Sequence, residues 1–312
     1  MTRKSIFGSL LSLALTSCVH AGVNPQAQIG LWDAHTHLSM YGSDALDSLA
    51  AYGVVAVRDL GANKLDEILQ WKKEIAEGKR AGPRIYTAGA ILDGPKEDSS
   101  SRWIVRTEEE ANRAVDSLAK RGVDFIKTHN GLAPLVYFAI LRAAKAHHLK
   151  VASHLPRGVP AWIAADSGAS SIEHAAESMM ASPIYAGYAK TFGEAETWWR
   201  SRAGDSAIQR LKKSGVYFTP TLAFYAANVD LPPDSAARSG RRHALDFLVE
   251  LTGRMYRAGI PIMAGSDIAL PRVDYRPGQS LRQEMSLLRR AGLSEADVRR
   301  TSSENVASWL KK

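Results

Sequence analysis

Short runs rich in β-branched and aromatic residues alternate with helical segments along almost the whole chain. The eight runs are LWDAH (31–35), VVAVRD (54–59), RIYTAG (84–89), DFIKTH (124–129), KVASH (150–154), SIEH (171–174), VYFTPT (216–221) and IMAGSD (262–267). Runs of this length predict strands, and strands that alternate with helices favour a parallel sheet. Eight repeats of the unit predict an α/β fold, a (β/α)₈ TIM barrel, in one domain over residues 23–312.

The segments between the runs carry local helix signals. Thr107 with Glu110 forms the pattern of a capping box, in which each side chain satisfies a free backbone amide of the first turn. This pattern predicts a helix that continues to Arg121. Pro134 predicts the start of another helix, because proline is favoured in the first turn.

The first 22 residues differ from the rest of the chain. Arg3 and Lys4 precede an apolar stretch, residues 6–15, and small residues follow, which is the layout of a secretory signal peptide. Two kinds of processing are open, namely cleavage after Ala21 or a lipobox whose Cys18 receives a lipid anchor. We therefore expect an exported protein that is periplasmic, secreted or held at a membrane as a lipoprotein.

The composition narrows the classes of partner. Cys18 is the only cysteine among 312 residues, so a disulfide within the chain is impossible. No apolar stretch reaches the roughly 20 residues of a transmembrane helix, so no span is expected. The net charge of +8 is scattered over helical segments without a basic block that alternates with aromatic residues. That pattern argues against nucleic acid, favours a small-molecule substrate and leaves the oligomeric state open.

Metal-binding residue types stand at the carboxyl ends of several predicted strands. Two of them, His35 and His37, are two residues apart, so on a strand they project from the same face. The carboxyl ends of barrel strands share one face, where active sites of this fold lie. We therefore expect one site, of a kind that suits zinc and similar divalent ions, rather than separate structural histidines. The candidate ligands are His35, His37, Lys127, His154, His174 and Asp267.

Lys127 is the unusual member of this set. It follows the apolar residues Phe125 and Ile126, and a lysine that faces the interior is costly unless it is paired or modified. A neutral lysine amine can react with CO₂ to give a carbamate, whose two anionic oxygens can bind metal ions. The alternative is that Lys127 points outward between helices.

The motifs DAHTH, DFIKTH, VASH, IEH and AGSD, in this order, resemble the amidohydrolase superfamily. The similarity is to its branch of imidazolonepropionase-like and Zn-dependent prolidase-like enzymes, and it covers about residues 28–310. The resemblance implies two divalent ions, with zinc as the first candidate and manganese or cobalt as alternatives. It also implies a bridging carbamate on Lys127 and a proton-transfer role for Asp267. By this resemblance, one ion binds His35, His37 and Asp267, and the other binds His154 and His174.

Two departures within the superfamily favour a binuclear hydrolase. Arg157 stands three residues after His154, where mononuclear deaminases of the superfamily carry a glutamate. Imidazolonepropionases lack the lysine on the fourth strand.

A third departure concerns the domain arrangement, because relatives carry β-structure before and after the barrel. We therefore expect a barrel that lacks the small β-sandwich domain usual in the family.

The sequence signals for substrate-binding residues are weaker than those for the metal ligands. Tyr225 can donate a hydrogen bond to a developing oxyanion, with core packing as the alternative. Arg58 and Arg157 can hold a substrate carboxylate, with ion pairs to Asp59 or Glu173 as the alternative. Specificity is expected from the loops after the third, sixth and seventh strands, at 92–103, 175–197 and 224–240.

Three function classes follow from these observations. The first is a binuclear metal-dependent amidohydrolase that cleaves dipeptides or N-acyl amino acids. The second is an ester hydrolase for lactones or organophosphates on the same centre. The third is a barrel that binds metal without catalysis.

Overall fold

The structure is a computed structural model that describes residues 30–62, 64–95, 100–229, 231, 234–269 and 271–311. The expected signal segment, residues 1–22 with Cys18, lies outside these ranges. Within them, no helix combines the length and the apolar character that crossing a membrane requires.

Strands and helices alternate as the sequence predicts. The nine described strands are β1 (Leu31–Thr36), β2 (Val54–Asp59), β3 (Arg84–Thr87), β4 (Ile91–Asp93), β5 (Trp103–Ile104), β6 (Ile126–Thr128), β7 (Val151–Ser153), β8 (Ser171–Glu173) and β9 (Tyr217–Thr219). The helices described up to β9 are α1 (Leu38–Tyr41), α2 (Asp44–Ala51), α3 (Leu65–Ala76), α4 (Glu108–Lys120), α5 (Pro134–Ala146), α6 (Ala161–Asp166), a π-helix (Ala175–Met180), α7 (Ser182–Tyr185), α8 (Phe192–Trp199) and α9 (Arg202–Ser214). Those after β9 are α10 (Leu222–Ala227), α11 (Ser235–Ala258), α12 (Gln279–Arg290), α13 (Glu295–Thr301) and α14 (Glu304–Leu310).

The sheet is parallel but divided into two parts. One part has the order β1-β2-β3 and the other the order β5-β4-β6-β7-β8-β9. The division falls at Gly89, whose φ of 73° turns the chain between β3 and β4. A mixed α/β parallel-sheet fold is therefore confirmed, whereas a single closed eight-stranded barrel is not.

The eighth predicted strand is replaced by isolated bridges. Ile262 pairs with Phe218 of β9, and Ile268 pairs with Thr36 of β1, both in parallel orientation. Between them, Ala34 N donates to Ala264 O at 2.8 Å. Asp267 has a φ of 56°, which takes the backbone out of the extended conformation and interrupts the ladder. The segment thus lies between β9 and β1 without forming a continuous strand.

Local helix signals are confirmed at both predicted starts. The Thr107 hydroxyl accepts a bond from Glu110 N at 3.2 Å, and Arg106 N donates to the Glu110 carboxylate at 2.7 Å. These two bonds satisfy free amides at the start of α4. Pro134 is the first residue of α5.

Two groups of apolar side chains fill the interior. The larger lies between the strands and the surrounding helices, and the smaller contains Phe125 and Trp309. These two rings meet edge to face with centroids 5.2 Å apart. The Arg58 guanidinium lies 4.1 Å from the Trp309 ring centroid, so the smaller group supports the buried polar residues next to it.

Candidate metal centre

The structure brings all six predicted ligands together, and each is at most 8% exposed. His35 Nε2 and His37 Nε2 both lie 3.4 Å from Asp267 Oδ1. His174 Nδ1 lies 3.6 Å from Asp267 Oδ2, and the rings of His174 and His154 are 4.5 Å apart. Lys127 and His154 face the same cavity of about 200 Å³. Side chains from five separate segments therefore converge at the carboxyl ends of the strands.

Several buried atoms at this centre lack hydrogen-bond partners among the described residues. They are His35 Nε2, Lys127 Nζ and both ring nitrogens of His154. A buried polar atom without a partner costs about 1–3 kcal/mol, so four in one place require an explanation. In addition, donor atoms of His35, His174 and Asp267 lie within 4.8 Å of one another. Imidazole and carboxylate donors so arranged fit a divalent cation.

Lys127 faces the cavity rather than the helices and is 1% exposed. Burial lowers its pKa to about 8, while the charges of Glu173 and Asp267 oppose that shift. Its amine is therefore neutral in part of the molecules near pH 8. The neutral amine is the form that reacts with CO₂, so this environment suits carbamate formation.

His35 is oriented by a buried ion pair behind it. Its Nδ1 donates to Glu173 Oε2 at 2.9 Å, and Arg58 Nη2 donates to Glu173 Oε1 at 2.7 Å. Burial raises the pKa of Glu173, but Arg58 and the bond from His35 outweigh burial and hold it well below its usual value. Burial lowers the pKa of His35 to about 4, so its ring is neutral at neutral pH. The bond at Nδ1 leaves Nε2 free as a ligand atom.

Two further histidines are held in the same manner. His37 Nδ1 donates to the Gly61 carbonyl at 2.7 Å. His174 Nδ1 shares a hydrogen bond of 2.9 Å with the Thr221 hydroxyl. Each contact occupies Nδ1, which is how proteins fix the tautomer of a ligating histidine, and in His37 it leaves Nε2 facing Asp267.

Backbone strain is concentrated at this site. His174, Thr221 and Asp267 have φ values of 70°, 50° and 56°, in a region that non-glycine residues rarely occupy. Such conformations cost about 1–3 kcal/mol each and persist where surrounding contacts impose them. Two of the three are candidate ligands, and the third orients one of them.

The turn that presents Asp267 depends on its two preceding residues. A Cβ atom on Gly265 would lie 2.6 Å from the His35 Cβ, so only glycine allows this approach. Ser266 donates to Asp33 from its amide at 2.9 Å and from its hydroxyl at 2.5 Å. Gly265 and Ser266 therefore do more than form a tight turn, because their contacts position Asp267.

We expect the Thr221→Val substitution to weaken metal binding about 10–100-fold, the usual effect of removing a group that orients a ligand. Valine keeps the branched shape but cannot bond with His174 Nδ1. The measurement is a titration of the purified protein with Zn²⁺ against a chelating indicator.

The matched control is Thr219→Val, two residues earlier. The Thr219 hydroxyl is buried without a hydrogen-bond partner among the described residues, so the same change should leave metal affinity unaltered. Equal affinities in both variants would show that Thr221 does not orient His174.

Arg58 is not placed where the sequence suggested. It is fully buried, pairs with Glu173 and donates from Nε to the Ala34 carbonyl at 2.8 Å, away from the cavity. The alternative, an ion pair with Glu173, is what the structure shows. The burial of this guanidinium in the pair favours the structural alternative, and substrate binding by Arg58 stays an untested prediction.

Replacing Arg58 with methionine should lower the free energy of unfolding by about 3–5 kcal/mol, because Glu173 would then be a buried charge without its partner. Denaturant unfolding of metal-free protein measures this. As a control, Arg289→Met removes the exposed pair with Glu295 and should cost at most about 1 kcal/mol. Similar losses in the two variants would contradict the structural role of Arg58.

The other two predicted residues lie outside the ligand cavity. Arg157 is exposed on the loop after β7. Tyr225 is half-buried on α10 and lines two adjoining cavities of about 320 and 480 Å³. Burial raises the pKa of Tyr225, which therefore keeps its proton at neutral pH.

Sequence reasoning missed several charged residues of these cavities, among them Glu177 and Arg241. Glu177, in the π-helix, lines the ligand cavity and both adjoining cavities, while Arg241 on α11 lines the two adjoining ones. Glu177 belongs to the loop after the sixth strand, which was expected to set specificity, and it follows His174 by three residues. No sequence signal marks Arg241, because it is one of several arginines along a long helix.

Sequence comparisons identify no relative. No family model matches the chain, and no curated protein does.

Similar folds are found among solved structures. Bottromycin amidohydrolase has a TM-score of 0.73 at 20% identity, with 90% of this chain and 67% of that chain covered. The A. niger ochratoxinase has a TM-score of 0.66 at 17% identity, with 90% and 71% covered. A Xaa-Pro dipeptidase with bound methionine in the active site has a TM-score of 0.67 at 19% identity, with 90% and 75% covered. The chain therefore shares its fold with these solved structures.

Proposed function

We propose that this protein is an exported, metal-dependent hydrolase of amide bonds that acts on dipeptides or N-acyl amino acids. The observation that carries the proposal is the convergence of His35, His37, His154, His174, Asp267 and the buried amine of Lys127 at one centre. A structural role does not account for buried ring nitrogens and an amine that lack hydrogen-bond partners among the described residues. The names of the similar structures, an amidohydrolase and a dipeptidase among them, support amide bonds.

Two divalent ions, with zinc as the first choice and manganese or cobalt as alternatives, would be held by the six candidate ligands. A carbamate on Lys127 would bridge them. When bound, the ions supply an activated water and polarise the scissile carbonyl.

The residues of the chain move the proton and hold the substrate. Burial raises the pKa of Asp267, but His35 and His174 outweigh burial and lower it below its usual value. The carboxylate therefore stays ionised and can accept the proton that the attacking water loses. Passing that proton to the leaving nitrogen completes hydrolysis, in which the C–N bond breaks and the acyl carbon gains the hydroxyl.

Two residues at the rim complete the proposal. Tyr225 keeps its phenolic proton and would donate it in a hydrogen bond to a substrate oxygen. Arg157, exposed after β7, would hold a substrate carboxylate.

The test combines metal analysis with a substrate panel. Protein loaded with Zn²⁺ or Mn²⁺ is assayed against dipeptides, N-acyl amino acids, lactones and organophosphate esters. We expect about two metal ions per chain and faster hydrolysis of the amides. Faster hydrolysis of the esters would overturn the substrate assignment, and bound metal without any hydrolysis would favour a binding protein.

Export gives a separate prediction. If the segment before Gly22 is a signal, the mature protein begins between Cys18 and Asn24. Mass spectrometry of the N-terminus of native protein measures this, and a lipidated Cys18 would distinguish an anchored form from a free one. Native protein that retains Met1 would contradict export by either route.

A further inference from the structure

Glu177 is the only described residue that lines the ligand cavity and both larger cavities. It lines the ligand cavity together with Asp267, and it lines the two larger cavities together with Tyr225 and Arg241. A substrate that reaches from the metal centre toward the larger cavities would therefore lie beside this carboxylate. The negative charge of Glu177 would therefore favour a substrate that places a positively charged group there.

This carboxylate has no cationic partner in the part of the chain that the structure describes. Among the described residues no lysine, arginine or histidine nitrogen lies within 4.0 Å of it, whereas Glu196 in the same wall pairs with Arg200 and His243. Arg241 shares two of the cavities but donates from Nη1 to the Asn228 carbonyl at 2.7 Å. Burial, together with the negative charge of Asp267, raises the pKa of Glu177, as expected for an acid that lacks a cationic partner.

Glu177 is also distinct from the candidate ligands. Its carboxylate forms no contact within 4.0 Å with any of the four candidate histidines, whereas Asp267 lies 3.4–3.6 Å from His35, His37 and His174. It lies on the π-helix, three residues after His174, and lines the same cavity as the candidate ligands.

We propose that Glu177 binds the free α-ammonium group of the substrate's N-terminal residue. This inference rests on the proposed amide hydrolysis, and it selects dipeptides over N-acyl amino acids. An α-ammonium nitrogen is two bonds from the scissile carbonyl carbon, which matches a carboxylate on the wall of the ligand cavity. The cavity of about 480 Å³ beyond it is lined by Met180, Phe192 and Leu248, so a large apolar N-terminal side chain fits there.

The experiment compares leucyl-alanine with N-acetyl-leucyl-alanine, measured as release of alanine by the metal-loaded full chain. The wild type should prefer the free dipeptide about 10–100-fold in kcat/KM, the range for a hydrogen bond to a charged group. Glu177→Gln should reduce that preference to near unity and keep the wild-type metal content. Glu177→Lys should reverse it in favour of the acetylated peptide.

Glu196→Gln is the matched control, because it removes a carboxylate of the same cavity that is already paired. It should keep the preference for the free dipeptide. Equal rates on both peptides in the wild type would overturn the inference even if no Glu177 variant folds. Loss of metal in Glu177→Gln would also overturn it by making Glu177 a ligand. If neither peptide is hydrolysed, the proposed amide hydrolysis itself is contradicted, and the inference about Glu177 has no basis.

Discussion

Replacing Lys127 with alanine is expected to remove at least one metal ion and to lower kcat by more than about 100-fold. A residue that only orients a metal ligand costs about 10–100-fold when it is removed, so a larger loss indicates a ligand. Its amine is buried in the cavity without a hydrogen-bond partner among the described residues, which suits a modified, bridging side chain. Metal analysis and steady-state kinetics on the same preparation measure both effects.

Chemical rescue sharpens this test. A short carboxylic acid such as propionate should restore part of the metal content and activity of Lys127→Ala, because its two oxygens can replace those of the carbamate. The control is Lys120→Ala, at the exposed end of α4, which should behave as the wild type with or without the acid. Full activity with two metal ions in Lys127→Ala would exclude the bridging role.

Asp267→Asn should separate metal binding from proton transfer. The amide keeps one oxygen that can bind metal but cannot accept a proton, so kcat should fall about 10²–10⁴-fold. We expect metal content to stay near the wild-type value. The two measurements together distinguish this variant from Lys127→Ala, in which metal and activity are lost together.

Asp246→Asn provides the comparison for this variant, because Asp246 is exposed and pairs with Arg290 on the surface. The control should retain both activity and metal. If Asp267→Asn loses its metal, or retains its rate, the carboxylate is not the proton-transfer group.

The strain at His174, Thr221 and Asp267 explains why these residues need support from neighbours. Gly265 permits the close approach of the Asp267 turn to His35. The Asp33 carboxylate accepts two hydrogen bonds from Ser266, one from its amide and one from its hydroxyl. Burial raises the pKa of Asp33 to about 6. Keeping this supporting carboxylate ionised in the interior is therefore unfavourable in free energy. Supporting residues of this kind hold a catalytic group within the small range of positions that it needs.

The sequence by itself determined the alternation of strands and helices and the six residues that meet at the centre. Both depend on local patterns, since a short apolar run followed by a polar residue places that residue at a strand end. The helix starts at Thr107 and Pro134 were likewise predictable, because a capping box and a first-turn proline act within one turn.

Only the tertiary structure decided how far the strands join and which charged residues reach the cavity. The positive φ angles of Gly89 and Asp267 interrupt the sheet ladder, and no sequence pattern marked these angles in advance. Arg58 follows the same strand pattern as the ligands, yet it is paired with Glu173, which is 115 residues away along the chain. Glu177 and Arg241 share a cavity because the π-helix and α11 pack side by side. Such pairings depend on contacts between distant segments, which the order of residues along one segment does not encode.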